Sequence, residues 1–230
     1  MIAIIDNRMP EKAKESLHRR FPIIELPSSP DLDERVASHP DMLMFPAKEK
    51  LFIDKNYFDL TRNLFSLKHI DIIECDLRLT KKYPSDIAFN CFISNGTLYG
   101  SITHTAKEIT AFANEHDISR KNVKQGYAKC STVVLGNDGI ITADRSIYTA
   151  YTENSDNALL VSPDGVSLNG YDCGFIGGAS GVCNKEVFFC GDISSHPDFE
   201  RILAFCKKLG YSVTSLSDEP LYDVGTIIFI

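Results

Sequence analysis

The sequence predicts an α/β fold of five strand–strand–helix–strand units, closed into a ring by pairing of the N- and C-terminal strands and spanning residues 1–230 as one domain. Three observations carry this expectation. A hairpin-like block recurs along the chain, a helical stretch and a further strand follow each copy, and the chain ends supply two unmatched half-hairpins.

The clearest block runs from Cys130 to Asp144, where two β-branched runs flank the turn signal Asn137-Asp138-Gly139. A second runs from Cys91 to Tyr99 around Asn95-Gly96. A third passes from Cys173 through the glycine-rich residues 174–181 to Asp192, and a more degenerate one covers Asp41 to Asp54. Second strands tend to end in Asp at regular intervals: Asp6 to Asp54 is 48 residues, Asp54 to Asp144 is 90, and Asp144 to Asp192 is 48. First strands begin just after Asp41, Asn90, Lys129, Asp172 and Asp223.

In chain order, Met1 to Ile5 reads as a strand, Pro10 to Arg20 as a helix and Ile23 to Leu26 as the following strand. Weaker helical patterns lie near Asn56 to Leu67 and Ser146 to Asn154. Thr105 to Glu115 carries Ile109, Phe112 and Ala113 on one face. In the last unit Ser195 can cap, Pro197 takes the first turn, and Phe199, Ile202, Leu203 and Cys206 form a stripe that stops before Gly210. Tyr211 to Leu216 alternates like a strand. Gly225 to Ile230 then looks like a first strand without a second, and Met1 to Asp6 like a second without a first. Pairing them removes two exposed edges.

The composition is that of a globular protein, 43% hydrophobic and 24% charged. A net charge of −7 disfavours a nucleic-acid partner, which asks for a basic face, and points instead to a small cation such as an amine or guanidinium. No stretch approaches the roughly 20 apolar residues of a membrane span, so a cytoplasmic protein with no membrane partner is expected. The seven cysteines include no Cys-x-x-Cys pair, which argues for reduced thiols rather than a disulfide framework or a closed zinc knuckle. No cofactor or metal is expected. The oligomeric state is not encoded in any feature of the sequence.

The five-unit arrangement resembles the pentein fold, or α/β propeller, of guanidino-group-modifying enzymes. Residues 127–135, 170–181 and 189–192, with the C-terminal stretch from Pro220 to Ile230, resemble an uncharacterised bacterial family of that fold. The resemblance implies an amidinohydrolase- or amidinotransferase-like activity with a nucleophilic cysteine at the start of the last inner strand. Here that place holds Val224 or Gly225, and neither can attack anything. It also implies a His-x-Asp base motif, where this chain has Cys190-Gly191-Asp192.

The remaining candidates come from the repeat itself. Cys91, Cys130 and Cys173 occupy similar repeat positions, so they could surround one opening, as nucleophiles, as small buried side chains or, with Asp, as zinc ligands, although no tight ligand spacing supports the last. Cys173, beside Asp172 and the glycine-rich run, is the first choice of nucleophile, ahead of Cys130. Asp54, Asp144, Asp172 and Asp192, with Cys91, are candidates for holding a cationic substrate; capping of turns and helices is the competing role for these aspartates. His196, in a mixed cluster with Ser194, Ser195 and Asp192, is the acid–base candidate. His104 is a weaker one, and His18, His39, His69 and His116 have no suggestive sequence neighbours. The glycine-rich run lacks the Gly-Lys-Ser/Thr ending of a phosphate loop. Two functions remain open: a Cys-dependent hydrolase or transferase acting on a guanidine or amidine, or a non-catalytic binding or scaffold protein of the same fold.

Overall fold

The computed structural model describes residues 1–65 and 70–230. His69 and the end of the helix expected near Asn56 to Leu67 lie outside the described residues. The chain begins with β1 (Ala3–Asp6), α1 (Glu11–His18) and β2 (Ile23–Leu26), then a one-turn helix α2 (Pro40–Leu43). Three units follow: β3 (Met44–Ala47), β4 (Lys50–Asp54), α3 (Lys55–Phe65), β5 (Asp71–Cys75); β6 (Phe92–Ser94), β7 (Thr97–Gly100), α4 (Lys107–Glu115), β8 (Ser119–Asn122); and β9 (Thr132–Val134), β10 (Ile140–Thr142), α5 (Arg145–Thr152), β11 (Ala158–Leu160). After the short β12 (Val166–Ser167) come β13 (Ser180–Cys183), β14 (Glu186–Phe189), a 3-10 turn at Ile193–Ser195, α6 (Phe199–Lys208) and β15 (Ser212–Ser215). The chain closes with β16 (Leu221–Tyr222) and β17 (Ile228–Phe229).

Five three-stranded sheets share one plan, in which a central strand pairs antiparallel with one neighbour and parallel with the strand that follows its helix: β17-β1-β2, β3-β4-β5, β6-β7-β8, β9-β10-β11 and β13-β14-β15. The chain ends do meet, with Ala3 opposite Phe229 and Ile4 opposite Ile228. Among the described residues these strands stand in separate sheets and form no closed barrel; a two-stranded sheet, β12-β16, was not foreseen.

Local chemistry explains the hairpins. Asn95 and Gly96 both hold positive φ (48° and 69°), as do Asn184 and Lys185 (50° and 61°), giving the two-residue turn that matches strand twist. The turn expected at Asn137-Asp138-Gly139 is wider than its signal: Leu135 N–H donates to Gly139 O, with Gly136 at φ 59°. Helices bury one stripe each. Leu17 and Ala13 of α1, Ile109, Phe112 and Ala113 of α4, and Ile202 and Cys206 of α6 are buried, whereas Leu203, expected in that last stripe, is 38% exposed because it faces away from the sheet. No helix among the described residues is long and apolar enough to cross a membrane.

Cys173 departs from the expected equivalence. Cys91 and Cys130 stand one and two residues before their strands at 92 and 132, but the strand after Cys173 starts only at Ser180. The intervening glycines make close turns instead. A Cβ on Gly178 would lie 2.0 Å from Asp223 Oδ1, so the bare backbone there makes room for a buried carboxylate.

Candidate functional site

The residues that immediately precede the first strands converge. Asp41, Asn90, Lys129 and Asp223, which mark the repeat in the sequence, meet around Cys130; Asp172 alone of the series stays exposed. Cys130 Sγ–H donates to Asp41 Oδ2 at 2.9 Å, and Thr226 Oγ1–H donates to the same oxygen at 2.8 Å. Asn90 supports this arrangement from behind: its Oδ1 accepts from the N–H of Lys129 (2.8 Å) and of Cys130 (3.1 Å), and its Nδ2 lies 3.1 Å from the thiol. Lys129 Nζ reaches Thr132 O and Thr226 Oγ1 at 3.3 and 3.1 Å.

His39 completes the cluster. Its Nδ1 lies 3.9 Å from Asp223 Oδ1 and its Nε2 lies 3.7 Å from Asp6 Oδ2. Asp223 accepts backbone N–H bonds from Gly225 (2.9 Å) and Phe175 (2.8 Å), while Asp6 is gripped by Arg8 through Nε (3.0 Å) and Nη2 (2.6 Å) and by Ser38 Oγ (2.8 Å). Gly225, at φ 67°, packs directly on His39.

The electrostatics follow from burial and sign. Burial, with the negative charges of Asp41 and Asp223, pushes the Cys130 thiol well up, so it rests as a neutral thiol. Burial also pushes Asp223 up, and neighbouring His39 and the two N–H donors only partly offset this. Lys129 is pushed down by burial against the pull of Asp41. At Asp6 burial acts upward too, but the Arg8 hydrogen bonds and the charges of His39 and Arg8 outweigh it, holding the carboxyl below its usual range.

A cavity of about 190 Å³ opens on this cluster. His39, Cys130, Cys173 and Asp223 line it together with the aromatic rings of Tyr127, Tyr171 and Phe175. Arg35 stacks over Tyr171 at 4.2 Å and donates to Gly170 O at 3.0 Å, fastening the loop that carries Cys173. A second cavity of about 180 Å³ reaches Asp41, Lys129 and Thr226 by way of Phe45, Phe92 and Cys91.

The residues singled out from the sequence divide accordingly. Cys130 and Cys173 share one cavity, the first buried and the second exposed; Cys91 is buried and lines the other. Asp54, Asp144 and Asp192 sit at element starts, accepting from the N–H of Tyr57 (2.8 Å), Ile147 (2.9 Å) and Ser194 (2.9 Å). His196 is buried elsewhere: its Nδ1 accepts from Asp198 N–H at 3.0 Å. His104 bonds to Ser101 and Thr103. The histidine at the centre is His39, set aside in the sequence because its partners Asp6, Asp223 and Gly225 are distant along the chain. The available signals were the glycines at 178 and 225, which mark places where backbone and side chain approach closely.

Comparison with solved structures shows a likeness of fold to guanidino-group-modifying enzymes. Dimethylarginine dimethylaminohydrolase from Pseudomonas aeruginosa, in complex with citrulline, superposes with a TM-score of 0.59 at 11% identity, over 94% of this chain and 91% of that one. An amidinotransferase of the saxitoxin biosynthetic pathway from Microseira wollei gives 0.53 at 10% identity, over 90% and 74%. The agmatine deiminase of C. jejuni gives 0.50 at 9% identity, over 86% and 71%. At such identities the likeness is one of fold. No curated protein sequence matches this chain. The chain belongs to a family of unknown function (DUF6873), whose model matches residues 4–228.

Proposed function

We propose that this protein takes a small cation of the guanidine or amidine class into the cavity over His39, Cys130 and Asp223, and acts on it as a Cys-dependent hydrolase or transferase. One observation carries the reading: two thiols, a buried imidazole and a buried carboxylate line a single cavity walled by three aromatic rings. A planar cation gains from each part. The aromatic faces attract it, and Asp223 accepts its N–H groups at the spare lone pairs that the backbone donors leave. Its charge also stabilises a thiolate nearby, which burial disfavours at Cys130. We further take the five like sheets to be blades around this centre, since Asp41, Asn90, Lys129 and Asp223, which precede four of the five first strands, contribute to it.

The chemistry is nucleophilic substitution at the central carbon. A thiolate adds to the cation, the tetrahedral adduct expels an amine that leaves with a proton, and water or a second amine then releases the thiol. Cys173 is the exposed thiol of the cavity and Cys130 the buried one, and His39, which lines the same cavity, relays the proton in this scheme. The likeness to guanidino-group-modifying enzymes supports the substrate class, although no cysteine occupies position 224 or 225.

The test is covalent trapping with 2-chloroacetamidine against its neutral analogue 2-chloroacetamide, read by peptide mass spectrometry. The proposal expects the amidine to label Cys173 or Cys130 at least about tenfold faster than the amide does. Equal rates for the two reagents, or amidine labelling confined to other cysteines, would overturn it.

A further inference from the structure

We propose that His39, Asp41 and Cys130 form a three-ligand site for a divalent cation of the zinc class, with the fourth position open to the cavity that His39 and Cys130 line. One ligand atom from each of these residues lies within 4.8 Å of the others, and all three residues are buried. A tetrahedral zinc centre with bonds of about 2.0–2.3 Å sets its ligand atoms about 3.5 Å apart. Cys130 Sγ and Asp41 Oδ2, now at 2.9 Å across a hydrogen bond, need open only slightly to admit an ion between them.

Independent observations point to the same occupant. Asp41 Oδ1 is buried without a hydrogen-bond partner, a costly state for a carboxylate oxygen that a cation would relieve. Whichever ring nitrogen of His39 binds the ion, a carboxylate stands near the other: Asp6 at 3.7 Å from Nε2, or Asp223 at 3.9 Å from Nδ1. Zinc-bound imidazoles are commonly oriented by such a carboxylate. The mixed imidazole, carboxylate and thiol set suits zinc better than magnesium or calcium, which take oxygen ligands. Loading replaces the thiol hydrogen by the metal and releases one proton to solvent: M²⁺ plus Cys130–SH gives the Cys130 thiolate complex plus H⁺.

The ligands come from two separate segments and contain no Cys-x-x-Cys spacing, which hides the site from a motif search. The inference stands apart from the guanidine reading, because its carboxylate is Asp41, whereas the organic cation is held by Asp223.

The experiment uses the full chain, stripped with chelator and dialysed against Zn²⁺ or Co²⁺ with no guanidine present. Bound metal is counted by mass spectrometry, and the cobalt form is read for its near-ultraviolet thiolate charge-transfer band. The expected result is one ion per chain and a clear band. The band should vanish in Cys130→Ser, with affinity lower by more than about 100-fold, fall in His39→Gln, and persist in Cys183→Ala. Circular dichroism establishes that each variant is folded; should Cys130→Ser fail to fold, the fall of the cobalt band in folded His39→Gln, against its persistence in Cys183→Ala, replaces it. Absence of stoichiometric metal in the unmodified protein, or a band that survives in folded Cys130→Ser, would overturn the proposal. Failure of guanidine binding alone would leave the metal result standing.

Discussion

The side chain of His39 fills the space that a residue larger than glycine would need at position 225. A Cβ built on Gly225 stands 2.1 Å from His39 Cβ and 2.3 Å from Cγ. Position 225 is one of the two places where the pentein resemblance implies a nucleophile, and here the His39 side chain takes the space that a side chain at 225 would need. With φ at 67°, Gly225 is also in the left-handed region that L side chains enter at a cost.

Gly225→Ala therefore combines backbone strain with overpacking, and a loss of about 2–4 kcal/mol in urea unfolding is expected. Combining it with His39→Gly should recover part of the loss by clearing the space. A cost under about 0.5 kcal/mol would mean that the His39–Gly225 contact is not tightly packed.

Arg35 holds the rim of the cavity through Tyr171 and Gly170, and is itself fixed by Asp33 through Nε at 2.8 Å. Arg35→Ala should loosen the Cys173 loop and raise the iodoacetamide reaction rate of Cys173 several-fold, while Cys91 and Cys190, buried in the core, stay slow. Rates that do not change would show that this contact does not govern access.

Asp144 accepts from Ile147 N–H and from Ser146 Oγ–H (2.6 Å) at the start of α5. Asp144→Ala should cost about 1 kcal/mol of stability, the usual value of a lost N-cap. Asp192→Ala should act in the same direction, and neither should weaken ligand binding. A large loss of affinity with stability intact would restore these aspartates as substrate contacts.

His196 is buried with Nε2 unpartnered, and burial lowers its affinity for a proton despite Asp198. The unfolded chain thus takes up a proton at His196 more readily than the folded one. The stability that the neutral ring contributes is complete above the unfolded value near 6.5 and is lost as pH falls from there toward the lower folded value. Chemical denaturation at pH 7.5 and pH 5 should show a smaller acid loss for His196→Gln than for the unmodified protein. An equal loss in both would remove His196 from the acid response.

The repeat was legible because its determinants are local. Asn95-Gly96 specifies a hairpin by the conformational freedom of two residues, and the β-branched runs from Thr132 and Ile140 specify the paired strands. The chain-end pairing could be inferred because Met1–Ile5 and Ile227–Ile230 are both short apolar runs with no partner nearby. The site was less legible. Asp41, Asn90, Lys129 and Asp223 were visible as markers of spacing, but their convergence on Cys130 depends on how the units face one another. His39 was overlooked for the same reason, since Ser38 and Pro40 beside it give no hint of the carboxylates of Asp6 and Asp223.

The most direct test of the account is calorimetric titration of the protein with an alkylguanidine and with the alkylurea of the same shape, which differ chiefly in charge. Binding of the guanidine at least about tenfold tighter than the urea, weakened in Asp223→Asn, is the predicted result. Equal affinity for the two compounds, or guanidine binding that Asp223→Asn leaves untouched, would contradict the assignment of this cavity to a cation.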